Sequence, residues 1–453
     1  MISRFAILAA VLLGGSVPAA ARTWTVGGPD ADFPLIAPAI AAATAGDTIR
    51  VRTGVYREDL RIEKTLTIVA DGRPILFGTG LGSVVVITAP ESELRGFAIE
   101  QSGIGQSNAM DAAVQIQSDR NLIIGNRLRR VFYGIVVSDA RGNRIADNQI
   151  EGLHDLPFGR RGDGIYLYRA PDTVVERNRI SGERDGIYFQ YASRGRALDN
   201  LVSDSRYGLH DMFSDDAVIA RNRFENSAVG ANIMNSRRIT LDANRFGNNR
   251  GIPGVGVTLK DCDDSTVRNG TIDGNARGLL LDGSTNNRFL DNVFSGNDTA
   301  ATLFSSAERN VFSGNQFIEN WSDLVLSGAD SGTRWSLDGR GNFWSRYRGF
   351  DFDGDGVGDS PHPIAGAFER IEGANPAARM FLRSPAATGL ELAFRLSGRP
   401  SPDSIDDRPL MTAPIVAKNH GNSRRAAATP SIIAIVGALV ACAVVAHRGS
   451  AHA

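Results

Sequence analysis

The chain has 453 residues, with 49 basic against 50 acidic side chains and a net charge of -1 with histidine neutral. This balance carries no nucleic-acid footprint, and the two cysteines, Cys262 and Cys442, lie in contexts too unlike to form a disulfide framework. Stability must therefore come from packing and backbone hydrogen bonds, and the length suits either two or three ordinary domains or one long repetitive unit.

At the N-terminus Arg4 precedes the apolar run Phe5 to Leu13, and Ala19-Ala20-Ala21 offers a small-residue cleavage site. The pattern predicts a secretory signal peptide over residues 1–21, too short and wrongly flanked for a resident membrane helix. From Phe33 to Ala43 apolar residues recur at helical spacing, Gly46-Asp47 ends the run, and Thr48-Ile49-Arg50-Val51 alternates as a strand. A short amphipathic helix in this place covers the open first coil of a stacked β structure, an edge that would otherwise template aggregation. Thr53 to Tyr56, Leu60 to Ile62 and Leu66 to Val69 then read as short strands separated by turns.

From about residue 120 a repeat governs the chain. An asparagine followed two positions later by an apolar residue recurs at Asn126, Asn148, Asn178, Asn200, Asn222, Asn244, Asn292 and Asn315. Most steps are 22 residues, with one of 30 between Asn148 and Asn178. A glycine followed by an apolar residue runs in parallel at Gly134, Gly164, Gly186, Gly208, Gly230, Gly256 and Gly278, with the same long step after Gly134. The additional residues therefore form a loop within one coil, around Gly152 to Gly162. A unit this short, built of four-residue strands without helical period, predicts an all-β fold: a parallel β-helix of about 22 residues per coil over 22–383. Asparagines at one repeat position can then stack as a hydrogen-bonded ladder while apolar residues stack inside.

The Thr23-Trp24-Thr25-Val26 to Lys64 segment and this repeat together resemble the pectin-lyase-like superfamily of right-handed β-helices. That resemblance implies a polysaccharide lyase, hydrolase or epimerase. Its paired acids, Asp215-Asp216 and Asp263-Asp264, cannot act as dyads, because adjacent residues on a strand point to opposite faces. Asp163 and Asp185 do share a repeat position directly before glycine, where turn formation explains them equally well.

Counting from each coil's glycine aligns a more distinctive stretch, Tyr207 to Asp216. Two residues after glycine stand Tyr166, Tyr188, His210 and Asn232; four residues after stand Tyr168, Gln190, Met212 and Met234. Both positions face outward, opposite to Ile165, Ile187, Leu209 and Ala231. His210, Met212 and Met234 are thus expected on one outer face, and an imidazole with two thioethers is a soft ligand set suited to Cu(I). The same counting turns Asp211 inward, where a carboxylate needs a partner.

The motifs DGIYFQ (Asp185 to Gln190), RYGLHDMFSDD (Arg206 to Asp216), GNFWSRYRGFDFDGDGVGDSPH (Gly341 to His362) and RPLM (Arg408 to Met411) resemble the NosD family of periplasmic accessory proteins in nitrous oxide reductase maturation, over nearly the whole chain. The resemblance implies a non-enzymatic, copper-handling protein. Its implied partners are the ATPase and permease subunits of an ABC transporter, a copper lipoprotein donor and the nitrous oxide reductase apoprotein. It also implies an aromatic residue where this chain has Asp211.

In Asp351-Phe352-Asp353-Gly354-Asp355-Gly356-Val357-Gly358-Asp359 carboxylates alternate with a glycine at the sixth position, as in a Ca²⁺ loop. His362 stands where an EF-hand carries its bidentate Glu, so a purely structural acidic turn fits as well. The candidate ligands are Asp351, Asp353, Asp355 and Asp359, and Asn342-Phe343-Trp344 with Tyr347 are expected to cap the β-helix. Leu390 to Leu396 reads as a short strand or helix, within a docking tail or linker over 384–425. Residues 426–446 are apolar or small and just reach spanning length, with Arg424-Arg425 before and His447-Arg448 after. A C-terminal inner-membrane anchor is expected there, a helix docked on a transporter subunit being the alternative. Two function classes stand: a periplasmic copper-delivery accessory protein, and a secreted polysaccharide-active β-helix.

Overall fold

The computed structural model describes residues 21–105, 110–328, 332–396 and 404–414. Three parallel sheets of 13, 12 and 13 strands run along it, and each coil places one strand in each sheet. The first sheet runs from Thr23–Val26 to Val311–Ser313, the second from Leu60–Ile62 to Ser322–Ser327, and the third from Val55–Tyr56 to Phe343–Trp344. This is the expected parallel β-solenoid. Inside it identical positions stack, as in the Phe289–Phe312 and Phe294–Phe317 rings at 4.4 and 4.9 Å.

The corners explain the asparagines. Along the ladder from Asn126 to Asn315 the residue before each asparagine adopts a positive φ, from 52° at Arg177 to 68° at Gly314, a conformation L residues with side chains seldom take. Hydrogen bonds offset that strain. The Nδ2 of Asn126, Asn148, Asn178, Asn200 and Asn222 each donates to the Oδ1 of the next ladder residue at 2.9–3.1 Å. The same Oδ1 atoms accept the preceding asparagine's backbone N–H, so buried corner donors are satisfied. Further ladders, Asn249–Asn275–Asn297–Asn320, Asn121–Asn143 and Asn287–Asn310, hold other corners.

Both described ends are closed. Helix α1 (Ile36–Ala42) buries Ile36, Ala39 and Ile40 over the first coil. Glu58 accepts its first N–H groups, from Ile36 and Ala37, at 2.9 Å, and Lys64 Nζ donates to the carbonyls of Ile40, Ala41 and Ala43. At the other end Trp344 stacks on Phe317 at 4.1 Å, which places the expected cap inside the core. Helix α2 (Ala367–Ala374) then packs on Ser322–Ser327, and α3 (Pro385–Leu396) makes the 390–396 stretch helical.

Residues 404–414 return to the last coil. Asp406, fully buried, accepts from the backbone N–H of Asn342 at 2.7 Å, from Trp344 Nε1 at 2.8 Å and from the Arg408 N–H at 3.0 Å. This part of the anticipated tail thus docks on the chain's own β-helix. Most of the expected signal peptide, the segment from 415 onward, the membrane helix over 426–446 and Cys442 lie outside the described residues. Among the described residues no helix is long and apolar enough to cross a membrane.

Candidate metal centre on the second sheet

The strand Tyr207–Met212 lies between Asp185–Gln190 and Val229–Met234 in the second sheet. Glycine makes that approach possible, since a Cβ on Gly208 would sit 2.6 Å from the Gly230 carbonyl oxygen and 2.9 Å from the Phe224 ring. The register aligns Tyr188, His210 and Asn232 across the three strands, and Gln190, Met212 and Met234 beside them. Leu209 and Asp211 turn inward and are fully buried. His210 and Met212 are therefore roughly 7 Å apart along one strand, and Met212 and Met234 one strand spacing apart, roughly 5 Å.

His210 is not an open surface residue: it is 8% exposed. Its ring stacks on Tyr188 at 4.2 Å and 7°, extending a row that continues through Tyr166 at 4.9 Å, and Tyr207 meets its edge at 5.1 Å. Nδ1 lies 2.9 Å from Asp185 Oδ2. Asp185 is itself gripped by Arg206, whose Nε and Nη2 donate to its two oxygens at 2.9 and 2.7 Å. Burial alone would push the Asp185 carboxyl up, but the hydrogen bonds from His210 and Arg206 hold it below its ordinary value. A charged Asp185 takes an N–H from Nδ1, which leaves the lone pair of the neutral imidazole on Nε2. Nε2 is buried and has no hydrogen-bond partner.

The two thioethers are half-buried beside it. Met212 Sδ accepts from the Tyr188 hydroxyl at 3.6 Å, and Met234 Sδ from Asn232 Nδ2 at 3.3 Å. Burial, then the neighbouring Asp185 and Asp163, push the Tyr188 phenol up to about 12, so it remains a donor. An unpaired imidazole nitrogen and two sulfurs on one face fit a soft monovalent ion and do not fit Ca²⁺ or Mg²⁺.

The surrounding acids behave differently from one another. Asp163 and Asp185 do not form turns: both are fully buried, and Arg184 grips Asp163 at 2.9 and 2.7 Å as Arg206 grips Asp185. Burial, with Asp185 adding repulsion, pushes Asp163 up to about 6. Asp211 fills an inward position between Phe189 and Ile233, where its Oδ1 accepts from Ser236 Oγ at 2.8 Å and its Oδ2 has no partner. Burial pushes it up to about 8. Asp216 sits in an exposed turn and pairs with Arg238. Cys262 is a buried free thiol, pushed up to about 12 by burial.

In the acidic loop Asp351, Asp353 and Asp359 bring carboxylate oxygens within 4.8 Å of one another, and Asp355 does not join them. Much of that oxygen is used by the loop itself: Asp351 accepts from Gly354 and Gly356 at 2.7 and 3.0 Å, and Asp359 from Phe352 at 2.6 Å. The loop also holds the returning tail, with Gly358 N–H on Pro409 O at 2.7 Å and Met411 N–H on Gly356 O at 3.0 Å.

The sequence reading puts His210, Met212 and Met234 on one face, as the register has them, but misses Asp185, Arg206 and Tyr188 as the groups that hold and flank the imidazole. A signal was present: Asp163 to Arg184 and Asp185 to Arg206 are both steps of 21 residues, one short of the coil period.

Comparison with known proteins follows the same lines. The family model described as "Periplasmic copper-binding protein (NosD)" matches residues 152–349, which include all three candidate ligands. The "Probable ABC transporter binding protein NosD" of Pseudomonas aeruginosa is 38% identical over 382 residues, covering 80% of this chain and 87% of that protein. Its namesake from Stutzerimonas stutzeri is 34% identical over 383 residues, covering 81% and 87%. Among solved structures, the catalytic domain of a GH87 α-1,3-glucanase superposes with a TM-score of 0.53 at 12% identity, covering 66% of this chain and 65% of that one, a likeness of fold alone. With its identity to both relatives sustained over four-fifths of its length, the chain belongs to the NosD family.

Proposed function

We propose that this chain is a periplasmic, non-enzymatic protein that binds Cu(I) as cargo and passes it on, working with an ABC transporter. The observation that carries this reading is the His210 Nε2 atom, buried without a partner on the face that presents Met212 and Met234. The names of the family model and of the relatives support the compartment, the metal and the transporter. A copper lipoprotein is the donor in this reading, and the nitrous oxide reductase apoprotein the client. Residues 426–446 anchor the chain to the inner membrane, so truncation after 425 should release it to the soluble periplasmic fraction.

The test is a Cu(I) titration of the purified protein against a colorimetric chelator. The parent should bind one Cu(I), and a His210→Ala, Met212→Ala double variant should lose most of that affinity. Equal affinity in the double variant would remove the site.

A polysaccharide-active β-helix remains the second reading, favoured by a cleft of about 860 Å³ lined in part by Phe132, Tyr133, Arg160 and Arg161. Asp163, gripped by Arg184 of the cleft's lining, is buried and locked, so this carboxylate is not free for acid–base chemistry there. Release of reducing or unsaturated sugars from uronate polymers would favour this alternative. Calcium at Asp351, Asp353 and Asp359 rests on their convergence alone, and calorimetric titration with Ca²⁺ tests it.

A further inference from the structure

Resting on that copper reading, we propose that Tyr188 and Asn232 tune the site for release, by placing a hydrogen-bond donor on each of its two sulfurs. The Tyr188 hydroxyl donates to Met212 Sδ at 3.6 Å, and Asn232 Nδ2 donates to Met234 Sδ at 3.3 Å. The two donors stand one on each side of His210 at the same repeat position, with Tyr188 on the preceding coil and Asn232 on the following one.

Neither donor is free to swing away. The Tyr188 ring is clamped between Tyr166 at 4.9 Å and the His210 ring at 4.2 Å, and both Tyr188 and Asn232 are 9% exposed. The arrangement is asymmetric across the ligand set, because the imidazole nitrogen is left without a donor while both sulfurs have one. Thioether sulfur is a weak acceptor, so each hydrogen bond is small. Its direction is nonetheless defined. A sulfur that accepts a hydrogen bond is a poorer metal donor, whether that bond breaks on metal binding or persists through the second lone pair.

His210 therefore supplies the firm ligand and the two methionines the yielding ones. When the ion leaves, the donors are already in place to re-cover the sulfurs, so of the three ligands His210 Nε2 alone is left without a partner. A cargo site needs this property, since a protein that passes copper onward gains nothing from holding it as tightly as the ligands allow.

The experiment uses the purified protein and Cu(I) alone, in competition with a colorimetric chelator. Tyr188→Phe keeps the stacked ring and removes only the hydroxyl, while Asn232→Val keeps a strand-compatible side chain next to Thr258 in the ladder. Each should tighten Cu(I) binding by about two- to threefold and the pair together by about fivefold, with transfer to the chelator slowed in proportion. In the metal-free protein, Tyr188→Phe should also shift the Met212 methyl ¹³C resonance, a readout independent of copper. Unchanged or weaker binding in both variants, beside a His210→Ala, Met212→Ala protein that has lost affinity, overturns the tuning role and leaves the site standing. Parent-like binding in that double variant sinks the site reading itself, and this inference with it.

Discussion

Replacing Asp211 by isoleucine should make the metal-free protein more stable, and increasingly so as the pH rises. The position points into the solenoid, with Phe189 and Ile233 as its partners in register and Leu167 and Leu259 one coil further out on either side. Asp211 interrupts that apolar stack with a carboxyl that has one hydrogen bond and an unpartnered second oxygen. Its folded-state value of about 8 stands against 3.8 in the unfolded chain. Because the folded value is the higher one, its stability contribution is complete below the unfolded value and is lost as the pH rises through the folded value. At pH 7, about three units above the unfolded value, the unfolded chain is ionised while the folded protein stays protonated, which costs the fold about 4 kcal/mol. Isoleucine removes that cost and adds apolar burial, while overpacking takes back about 1–3 kcal/mol. Ser236 keeps the Met234 carbonyl as an acceptor at 3.0 Å. A net gain of about 2 kcal/mol or more at pH 7 follows. Urea unfolding of parent and Asp211→Ile in chelator, at pH 5, 6 and 7, should show the gap widening by about 3 kcal/mol across the two pH units. A gap that stays constant with pH would mean that Asp211 is ionised in the fold, and the burial argument would fail.

The remaining expectations concern the ladder, the cap and the thiol. Asn200→Ala leaves Asn178 without the acceptor for its backbone N–H and its Nδ2, and strips the Val175 carbonyl of a donor. With about 1–3 kcal/mol for each buried group left unsatisfied, its urea midpoint should fall by the equivalent of about 3 kcal/mol or more. Asp406→Ala removes the acceptor shared by Asn342, Trp344 and Arg408, so hydrogen exchange over 404–414 should accelerate and Trp344 emission should shift to the red. Cys262, buried and with its thiol held near 12, should resist thiol reagents at pH 8 in the native protein and react fully in denaturant.

The solenoid was legible because its physics is periodic. One coil places each residue beside its equivalent, so the spacing of Asn126, Asn148 and Asn178 already contained the ladder and the loop in the longer coil. In-and-out alternation from Gly208 was enough to put His210 and Met212 outside and Asp211 inside. What escaped were contacts whose sequence separation departs from the period. The Asp185 grip on His210 spans 25 residues and its Arg206 clamp 21, so counting whole coils passes over both. The return of Asp406 to Asn342 spans 64 residues and follows no repeat, so it left no mark in the spacing. The helical reading of Leu390 to Leu396 was undecided for a related reason, as so short a segment shows too few turns to separate the periods of strand and helix.

X-ray absorption at the copper edge of the Cu(I)-loaded protein tests the central claim most directly. The account predicts a shell of one imidazole nitrogen and two sulfurs, with the imidazole scattering lost in His210→Ala and the sulfur amplitude reduced in Met212→Ala and in Met234→Ala. A shell of nitrogen and oxygen alone, or one unchanged in all three variants, would contradict it.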